Sequence, residues 1–386
     1  MHGQTAIAGI GESEYYRPGQ ARLSEFQLAC TAIKRAADDA GIPLSDVDGY
    51  VAYNDRQDPV RLSAALGTKQ TTFTAQNWGG GGNGVAAAVA TASAAVLAGY
   101  AQHVVAFRSI AQGQFGRFGQ AREAHRVPGP QAYQTPYGVA APAQTCALQT
   151  RRFMHEYGIG QDALAEISLA SYAHAQQNPR AVRYGRPLTR EQYHESRWIV
   201  EPFHLFDCCQ ENDGAAAVIV TSGERARQLQ RQPVYIKAAS QGMEHRAGTA
   251  AFNEPNFPTA HYELAGKLLW ERAGVGPQDV DVAQVYENFT GPALISMAEM
   301  GLAPPDGIEE FVSNGNIQWP DGKLPINTAG GNLAEAYIHG FQLVNEAARQ
   351  IRGTSTAQVQ DAELSLVISG PGWCPGSAIL LANDEG

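Results

Sequence analysis

Two tyrosines and one run of glycines are the residues whose types could support proton transfer beside a forming anion. Tyr286 lies in a Val-Tyr-Glu-Asn-Phe segment, Tyr337 lies three residues before Gly340, and glycines occupy positions 79–82. A phenol can give or take a proton, although its ordinary pKa is ~10. A glycine run that opens a helix directs bare N–H groups and the positive helix end at a ligand. The structural alternative is a pair of core tyrosines with satisfied hydroxyls, and glycines that allow close packing.

The order of predicted elements indicates an α/β fold, with a mixed or parallel sheet covered by helices on both faces. Residues 85–98 are almost all Ala and Val, which predicts a helix buried on all sides. Strands and helices alternate in both halves, except in residues 111–205, which we interpret as an insertion that covers the site. Strands are predicted at 5–11, 47–52, 103–107, 214–220, 234–240, 280–286, 364–369 and 377–381. The other helices are predicted at 23–40, 143–157, 161–177, 262–273, 291–301 and 334–351.

Composition limits the function classes. A chain of 386 residues is long enough for two packed domains, and its net charge of -10 argues against nucleic acid and anionic membranes as partners. Five cysteines without a CxxC spacing indicate reduced thiols and no zinc site. The sequence has neither a signal peptide pattern nor a run of ~18 uncharged apolar residues. We therefore expect a soluble, cytoplasmic protein without a membrane segment.

A long family signal covers residues 186–217. It begins with Arg-Pro-Leu-Thr at 186–189 and continues through Pro-Phe-His-Leu-Phe-Asp-Cys-Cys at 202–209 to Asp-Gly-Ala-Ala-Ala at 213–217. These segments resemble the thiolase superfamily, in particular its sterol-carrier-protein-x-like branch, and the resemblance extends over nearly the whole chain. It implies a thiolase fold: two similar α/β halves, 1–225 and 226–386, with mixed five-stranded sheets stacked in layers, and an inserted loop domain at about 111–205.

The resemblance also locates the family's catalytic positions. Gly79 stands where the family has its nucleophilic cysteine, and Tyr337 stands where it has the histidine of Gly-His-Pro-x-Gly. Tyr286 begins the segment that matches Asn-Glu-Ala-Phe or His-Asp-Cys-Phe. Counted back from the last strand, Gly372 matches the glycine of the C-terminal Cys-x-Gly motif, although Cys374-Pro-Gly spells that motif. The nucleophile, the histidine and the second cysteine are therefore all replaced.

This pattern is similar to the steroid side-chain-cleaving aldolases of actinobacteria, thiolase-like proteins that split a 17-hydroxy steroid acyl-CoA into a 17-keto steroid and propionyl-CoA. The resemblance implies a retro-aldolase that needs no cysteine nucleophile, metal or bound cofactor. We assign Tyr286 as base on the hydroxyl and Tyr337 as acid to the enolate carbon, roles that could be exchanged. The N–H groups of Gly79 and Gly372 are the predicted oxyanion donors, each worth roughly 3 kcal/mol.

An ionised phenol at pH 7 would need a pKa shift of ~3 units, or about 4 kcal/mol, so a tyrosine could instead pass its proton to a neighbour. The candidates for this relay are Glu287, His245, His261 and His339. Arg117, Arg122 and Arg126 either meet CoA phosphates or belong to a solvated loop. The CoA-binding residues stay open.

Partners and rival functions follow from the same resemblance. It implies a homodimer and a companion protein of the OB-fold, acyl-CoA-associated type, together a heterotetramer. One rival is an acyltransferase or condensing enzyme of thiolase type that borrows a cysteine such as Cys374. Another rival is a non-catalytic thiolase fold that serves as a scaffold for a partner.

Overall fold

The structure is a computed structural model, and it describes residues 3–116, 127, 129–245 and 256–384. The strands are β1 (Thr5–Glu12), β2 (Gly49–Tyr53), β3 (Phe73–Asn77), β4 (Val104–Ala111), β5 (Trp198–Val200), β6 (Phe203–His204), β7 (Asp213–Ser222), β8 (Val234–Gly242), β9 (Val282–Val285), β10 (Leu364–Ile368) and β11 (Gly376–Ala382). The helices are α1 (Glu25–Ala40), α2 (Pro59–Leu66), α3 (Val85–Leu97), α4 (Gln112–Phe115), α5 (Pro142–Tyr157), α6 (Gln161–Ala175), α7 (Arg190–Glu195), α8 (Gly223–Ala226), α9 (Glu263–Ala273), α10 (Thr290–Glu299), α11 (Ile308–Val312) and α12 (Phe341–Ile351).

The two halves of the chain build sheets with the same strand order. In the first half the order is β3-β2-β4-β7-β1, and in the second half it is β9-β10-β11-β8. In both, the strand pairs have matching directions: β7 is antiparallel to β1 and β4 as β11 is to β8 and β10, while β2 is parallel to β4 as β9 is to β10. The internal repeat of architecture, and the mixed sheet, are confirmed.

The second half differs from the prediction of five strands, because four are formed among the described residues. The fifth position, next to β9, is reduced to one parallel bridge between Ala283 and Ile326. Pro325 precedes this bridge and has no N–H with which to extend the ladder. The two sets of strands are continuous, since β1 pairs with β8 at Ala6–Tyr235 and Ile7–Val234.

The helices divide this sheet system into layers. The amphipathic helix α1 packs on β1, β4 and β7 from outside, and α9 packs on β8 and β11. Helices α3 and α12 lie in a shared central core, where each contacts strands of both halves. The prediction that α3 is buried is confirmed for most of its length, but Leu97 at its end is 42% exposed.

The insertion lies against the second half of the chain. Helices α5 and α6 pack on α10, and α6 also contacts the turn Gly331–Glu335. That turn precedes Tyr337, so the insertion supports one wall of the predicted site. Arg117, Arg122 and Arg126 lie outside the described residues.

The predicted helix over 334–351 is wrong at its start. Residues Gly331–Glu335 form a single wide turn, and α12 begins only at Phe341. Between them His339 has a φ of 51° and Gly340 a φ of 79°, both in the left-handed region, which ends any right-handed helix. The resulting irregular segment carries Tyr337.

Candidate active site

The two tyrosines meet in the central core. Tyr286 directly follows β9, where its N–H donates to the Ile368 carbonyl over 3.0 Å, and the Tyr337 N–H donates to Oδ1 of Asn212 over 2.9 Å. The hydroxyl of Tyr286 donates to that of Tyr337 over 2.9 Å, with the rings 6.1 Å apart in an edge-on arrangement. Tyr286 is 0% and Tyr337 6% exposed. The structure therefore brings together two phenols that are 51 residues apart.

Two glycines leave the space that the Tyr286 ring fills. An ideal Cβ built on Gly82 would lie 2.2 Å from Cε2 of Tyr286, and one built on Gly340 would lie 2.4 Å from Cδ2. Both glycines have φ values in the left-handed region, at 89° and 79°. The glycine run is therefore in direct contact with the phenol pair.

Asn83 occupies the space where the family's nucleophile would project. An ideal Cβ on Gly79 would lie 2.2 Å from Oδ1 of Asn83. The Asn83 side chain is itself fixed, since Oδ1 accepts from the Tyr53 hydroxyl and the Gly80 N–H at 3.1 Å each, and Nδ2 donates to the Pro375 carbonyl over 2.9 Å. A cysteine at position 79 would require this side chain to move.

Two N–H donors in the first turn of α3 are already engaged. The N–H groups of Ala86 and Ala87, in its first turn, donate to the hydroxyls of Ser369 and Ser377 over 2.9 and 3.4 Å. These serines come from the second half and satisfy the donors that a ligand would otherwise use. At this end of α3, an oxyanion donor is therefore expected in the glycine run that precedes the helix.

The two predicted oxyanion donors differ in whether their N–H groups are already hydrogen-bonded. The Gly372 N–H donates to the carbonyl of Ala260 over 3.2 Å, so in this structure it is already engaged. The Gly79 N–H forms no hydrogen bond with another residue in the described part of the chain, and its carbonyl accepts from Nδ2 of Asn54 over 3.1 Å. Gly79 remains the stronger candidate.

Burial determines the protonation of the phenols. It raises the pKa of Tyr286 well above its ordinary value, and the neighbouring Tyr337 adds to this shift. Burial also raises the pKa of Tyr337 well above the ordinary value, with a further contribution from Cys209. Both hydroxyls are therefore protonated at neutral pH, so neither phenol acts as a preformed phenolate.

Among the four relay candidates, His339 contacts the tyrosine pair. Its ring lies edge-on to that of Tyr337 at 5.2 Å, and its Nδ1 accepts from Nε of Arg108 over 3.2 Å. Burial, and then the Arg108 charge, hold the His339 pKa well below its ordinary value. His339 is therefore a neutral imidazole.

Glu287 faces away from the phenols. Its carboxyl accepts from Nδ2 of Asn332 over 3.1 Å, from the Leu333 N–H over 3.4 Å and from the Ser171 hydroxyl over 3.3 Å. Burial raises the pKa of Glu287 to about 8. Because side chains alternate along an extended segment, the residue after Tyr286 points to the opposite side, toward the turn before Tyr337. Glu287 supports that turn and does not contact either hydroxyl.

The other two histidines lie in separate segments. His261 is buried in the segment 259–262, where its N–H donates to Oγ1 of Thr259, and its carbonyl lies against Gly376. His245 is exposed at the end of the described segment 129–245. A relay role for either histidine stays a prediction.

Sequence reasoning missed three residues that complete this site. Tyr53, at the end of β2, accepts the Gly82 N–H over 2.9 Å, and burial raises its pKa to about 12. Arg108 on β4 bonds His339, and Asn83 fixes the glycine run. The ordinary strand and loop positions of these residues carry no signal of their own, although the polar residue directly after the glycine run could have drawn attention to Asn83.

Three of the buried thiols are poor candidates for a nucleophile. Burial raises the pKa values of Cys146, Cys208 and Cys209 well above the ordinary thiol value. Cys374 is partly exposed in the segment that faces the glycine run. A raised thiol pKa disfavours the thiolate that covalent acyl transfer requires.

Two cavities in the described part of the chain, of about 370 and 290 Å³, are not lined by Tyr286 or Tyr337. Across the described part of the chain, no three His, Cys, Asp or Glu side chains are grouped so as to hold a metal ion. No helix among the described residues is both long and apolar enough to span a membrane.

The chain is similar to known proteins over its whole length. Residues 240–382 match the family described as thiolase C-terminal domain-like. The 17-hydroxy-3-oxo-4-pregnene-20-carboxyl-CoA lyase of Mycobacterium tuberculosis is 38% identical, over 99% of this chain and 100% of the lyase. The steroid side-chain-cleaving aldolase of Thermomonospora curvata is 37% identical, over 100% of this chain and 99% of the aldolase.

A solved structure gives the same result in three dimensions. The Ltp2-ChsH2(DUF35) aldolase superposes with a TM-score of 0.90 at 36% identity, covering 98% of each chain. Its agreement in fold extends to both halves and the insertion. Together with the full-length relatives, it shows that this chain belongs to the thiolase superfamily, in the sterol-carrier-protein-x-like branch and among the thiolase-like steroid side-chain-cleaving aldolases.

Proposed function

We propose that this protein is a retro-aldolase that cleaves the side chain of a β-hydroxyacyl-CoA, namely a 17-hydroxy steroid with a three-carbon CoA side chain. The observation that carries the proposal is the 2.9 Å hydrogen bond between two buried phenols beside a glycine run that has no nucleophile. The relatives named above act, by their names, on steroid side chains or a pregnene carboxyl-CoA. The products are a 17-keto steroid and propionyl-CoA.

The reaction needs three events at the substrate. The 17-hydroxyl loses its proton as its C–O bond becomes a carbonyl, and the bond between that carbon and the α-carbon of the thioester breaks. The electron pair of this bond moves into the thioester as an enolate, which an N–H donor stabilises. A proton then adds to the α-carbon, which gives propionyl-CoA without a covalent enzyme intermediate.

Two neutral phenols can supply these proton transfers without a free phenolate. The substrate hydroxyl gives its proton to Tyr286 while the Tyr286 hydroxyl, which donates to Tyr337, passes its own proton on. Tyr337 in turn delivers a proton to the α-carbon. Because each phenol gains one proton as it loses another, the raised pKa values of both tyrosines are compatible with catalysis.

The oxyanion donor in this proposal is the Gly79 N–H. Gly372 can join it only if its hydrogen bond to Ala260 opens when the substrate binds. The chain itself then binds no cofactor and no metal, because the thioester belongs to the substrate. We also propose a cytoplasmic location.

The proposed assembly follows the solved relative, whose name pairs an aldolase with a DUF35 protein. We propose that this chain likewise works with an OB-fold, acyl-CoA-associated companion. A homodimer of this chain with two companions would form a heterotetramer.

Replacing either phenol tests the chemistry. Tyr286→Phe and Tyr337→Phe remove one hydroxyl each and should lower kcat by about 10²–10⁴, the usual contribution of a positioned acid or base. Activity is measured as release of propionyl-CoA and the 17-keto steroid from a 17-hydroxy steroid acyl-CoA, with and without the companion. Tyr50→Phe is the matched control, since Tyr50 lies on β2, is 1% exposed and forms a hydrogen bond through its hydroxyl to Thr68.

Two outcomes would contradict the proposal. Full activity in both phenylalanine variants would indicate a scaffold whose companion does the chemistry. Loss of activity after thiol alkylation, with the fold intact, would indicate a cysteine-dependent acyltransferase. The aldolase should keep its activity when its accessible thiols are blocked.

A further inference from the structure

A buried arginine lies near the phenol pair, and the reaction steps proposed above do not involve it. Arg108 lies on β4 with its side chain 4% exposed, and its Nε donates to Nδ1 of His339 over 3.2 Å. We propose that Arg108 is a positioning residue of this active site: through His339 it holds the Tyr337 phenol in the orientation that receives the proton from Tyr286. This inference rests on the retro-aldolase function proposed above.

The hydrogen bond fixes the tautomer of His339. A guanidinium group has only donors, so Nδ1 must be the unprotonated nitrogen and the neutral ring carries its proton on Nε2. The positive charge of Arg108 also disfavours protonation of the imidazole, in the same direction as burial. His339 is thus restricted to one neutral form, with Nδ1 occupied, and does not serve as a proton acceptor through that nitrogen.

The ring of His339 in turn fixes the position of Tyr337. It lies edge-on to Tyr337 at 5.2 Å and to Tyr53 at 6.2 Å, so it is held between two phenol rings. His339 has a φ of 51°, a conformation that costs an L-residue roughly 1 kcal/mol or more. The bond from Arg108 anchors the side chain of this strained residue, two positions after Tyr337. Movement of the imidazole would therefore displace the phenol.

Among the described residues, few charged groups lie near Arg108 and His339. Nη1 of Arg108 lies 3.6 Å from Oδ2 of Asp55, and Asp55 is held by the Ser109 hydroxyl at 3.0 Å. Glu25, on α1, is another carboxyl that interacts with Arg108. His339 itself faces Arg108, Tyr53 and Tyr337, and Tyr286 lies behind Tyr337. A buried guanidinium is costly to desolvate, and here one carboxylate ion pair at 3.6 Å compensates it only partly.

The first test measures the imidazole directly and needs no substrate. In protein labelled with ¹⁵N-histidine, the nitrogen shifts of His339, assigned with His339→Gln, report which nitrogen carries the proton. We expect Nδ1 to be unprotonated in the wild type and to become partly protonated in Arg108→Met. The variant imidazole should also begin to titrate at a higher pH, since a neighbouring positive charge has been removed. The ring signals of Tyr337, assigned with Tyr337→Phe, should shift.

The second test is kinetic. Arg108→Met should lower kcat about 100-fold, the effect of misplacing a catalytic group by about 1 Å, with KM changed by less than about threefold. The acid limb of its kcat profile should move to higher pH. Arg108→Lys keeps the charge and a donor, and should restore kcat to within about tenfold of the wild type. Arg108→Gln replaces the methionine variant if the latter does not fold.

Arg352→Met is the matched control. Arg352 is likewise buried, with 5% side-chain exposure and an ion pair to Asp39 at 2.7 Å, but it lies at the far end of α12. Its loss should lower the melting temperature and leave kcat and the His339 and Tyr337 signals unchanged. A protonated Nδ1 in the wild type, or an Arg108→Met variant with kcat within about threefold of wild type, would overturn the inference. Absence of steroid cleavage by the wild type would instead refute the proposed function, and the nitrogen shifts would still decide whether Arg108 controls His339.

Discussion

Because Gly82 has no Cβ, the ring of Tyr286 can lie against its backbone. The Tyr286 ring fills the position that a Cβ would take, and the Gly82 N–H donates to the hydroxyl of Tyr53 over 2.9 Å. A thiolase uses the corresponding turn to present a side chain, whereas here the turn admits the side chain of another segment. The position of Tyr286 in the site therefore depends on glycine at position 82.

Two alanine variants should distinguish the contact of a new Cβ with Tyr286 from the backbone strain that alanine causes at a left-handed φ. In Gly82→Ala we expect a loss of kcat of about 100-fold or more, because the Tyr286 ring must move by an ångström or more. Gly67→Ala is the matched control: Gly67 also has a left-handed φ, of 74°, but nothing lies within 4 Å of its Cβ position. Gly67→Ala should lose about 1 kcal/mol of stability in thermal unfolding. Gly82→Ala should lose more, because its Cβ also overlaps the Tyr286 ring. Equal activities of the two variants would contradict the proposed placement of Tyr286.

The turn Gly331–Glu335 is the element that connects the insertion to the catalytic segment. Glu287 accepts hydrogen bonds from Asn332 and Leu333 within it, and Asn332 Oδ1 accepts from Nε2 of Gln342, which also donates to the Ala336 carbonyl. An ideal Cβ on Gly331 would lie 1.8 Å from Oε1 of Glu287, so the turn closes tightly around the carboxyl. This network holds the backbone just before Tyr337.

Glu287→Gln should make the protein less sensitive to alkaline pH. A carboxyl whose pKa is raised on folding, from 4.5 to about 8, binds its proton more tightly in the folded state. The contribution of the Glu287 carboxyl to the free energy of unfolding is therefore fully present below pH 4.5. It is lost as the pH rises toward 8, by at most about 1.4 kcal/mol per pH unit. The variant, measured by denaturant unfolding, should gain on the wild type between pH 5 and 8 and match it near pH 4.5.

The kcat of Glu287→Gln is the control for this stability measurement. Because Glu287 contacts neither phenol, Glu287→Gln should retain kcat within about threefold, as expected for a residue outside the proton path. A large fall in kcat without any change in the pH dependence of stability would instead support the predicted relay role of Glu287.

The sequence predicted some elements closely and others not, for physical reasons. The bounds of helix α3 were predicted to within one residue. Its run of Ala and Val is followed by a glycine, so local helix propensity is enough to indicate where the helix ends. The segment 334–351 has a helix-forming composition, but contacts of the Tyr337 segment with Asn212 and Arg108 impose an irregular path on it. Arg108 and Tyr53 could not be selected, since their roles depend on long-range contacts that no spacing encodes.

At the scale of the whole molecule, neither half contains a complete site. Gly82 and Arg108 come from the first half, and Tyr286 and Tyr337 from the second. The central core that surrounds them includes side chains from both α3 and α12, and β1 and β8 join the strands of the two halves. Ser369 and Ser377 of the second half also cap α3 of the first. Although the architecture is repeated, the halves depend on each other for burial.

This dependence predicts that the two halves unfold together. In a domain pair with separate cores, each half would melt at its own temperature, but here the loss of either half exposes the apolar faces of α3 and α12. We expect one calorimetric transition, with coincident melting by far-UV and near-UV circular dichroism. Ser369→Ala, which removes a cap between the halves worth about 1 kcal/mol, should lower that single transition as a whole. Two resolved transitions, with only the one assigned to the first half lowered by Ser369→Ala, would show instead that residues 1–225 and 226–386 are independent folding units.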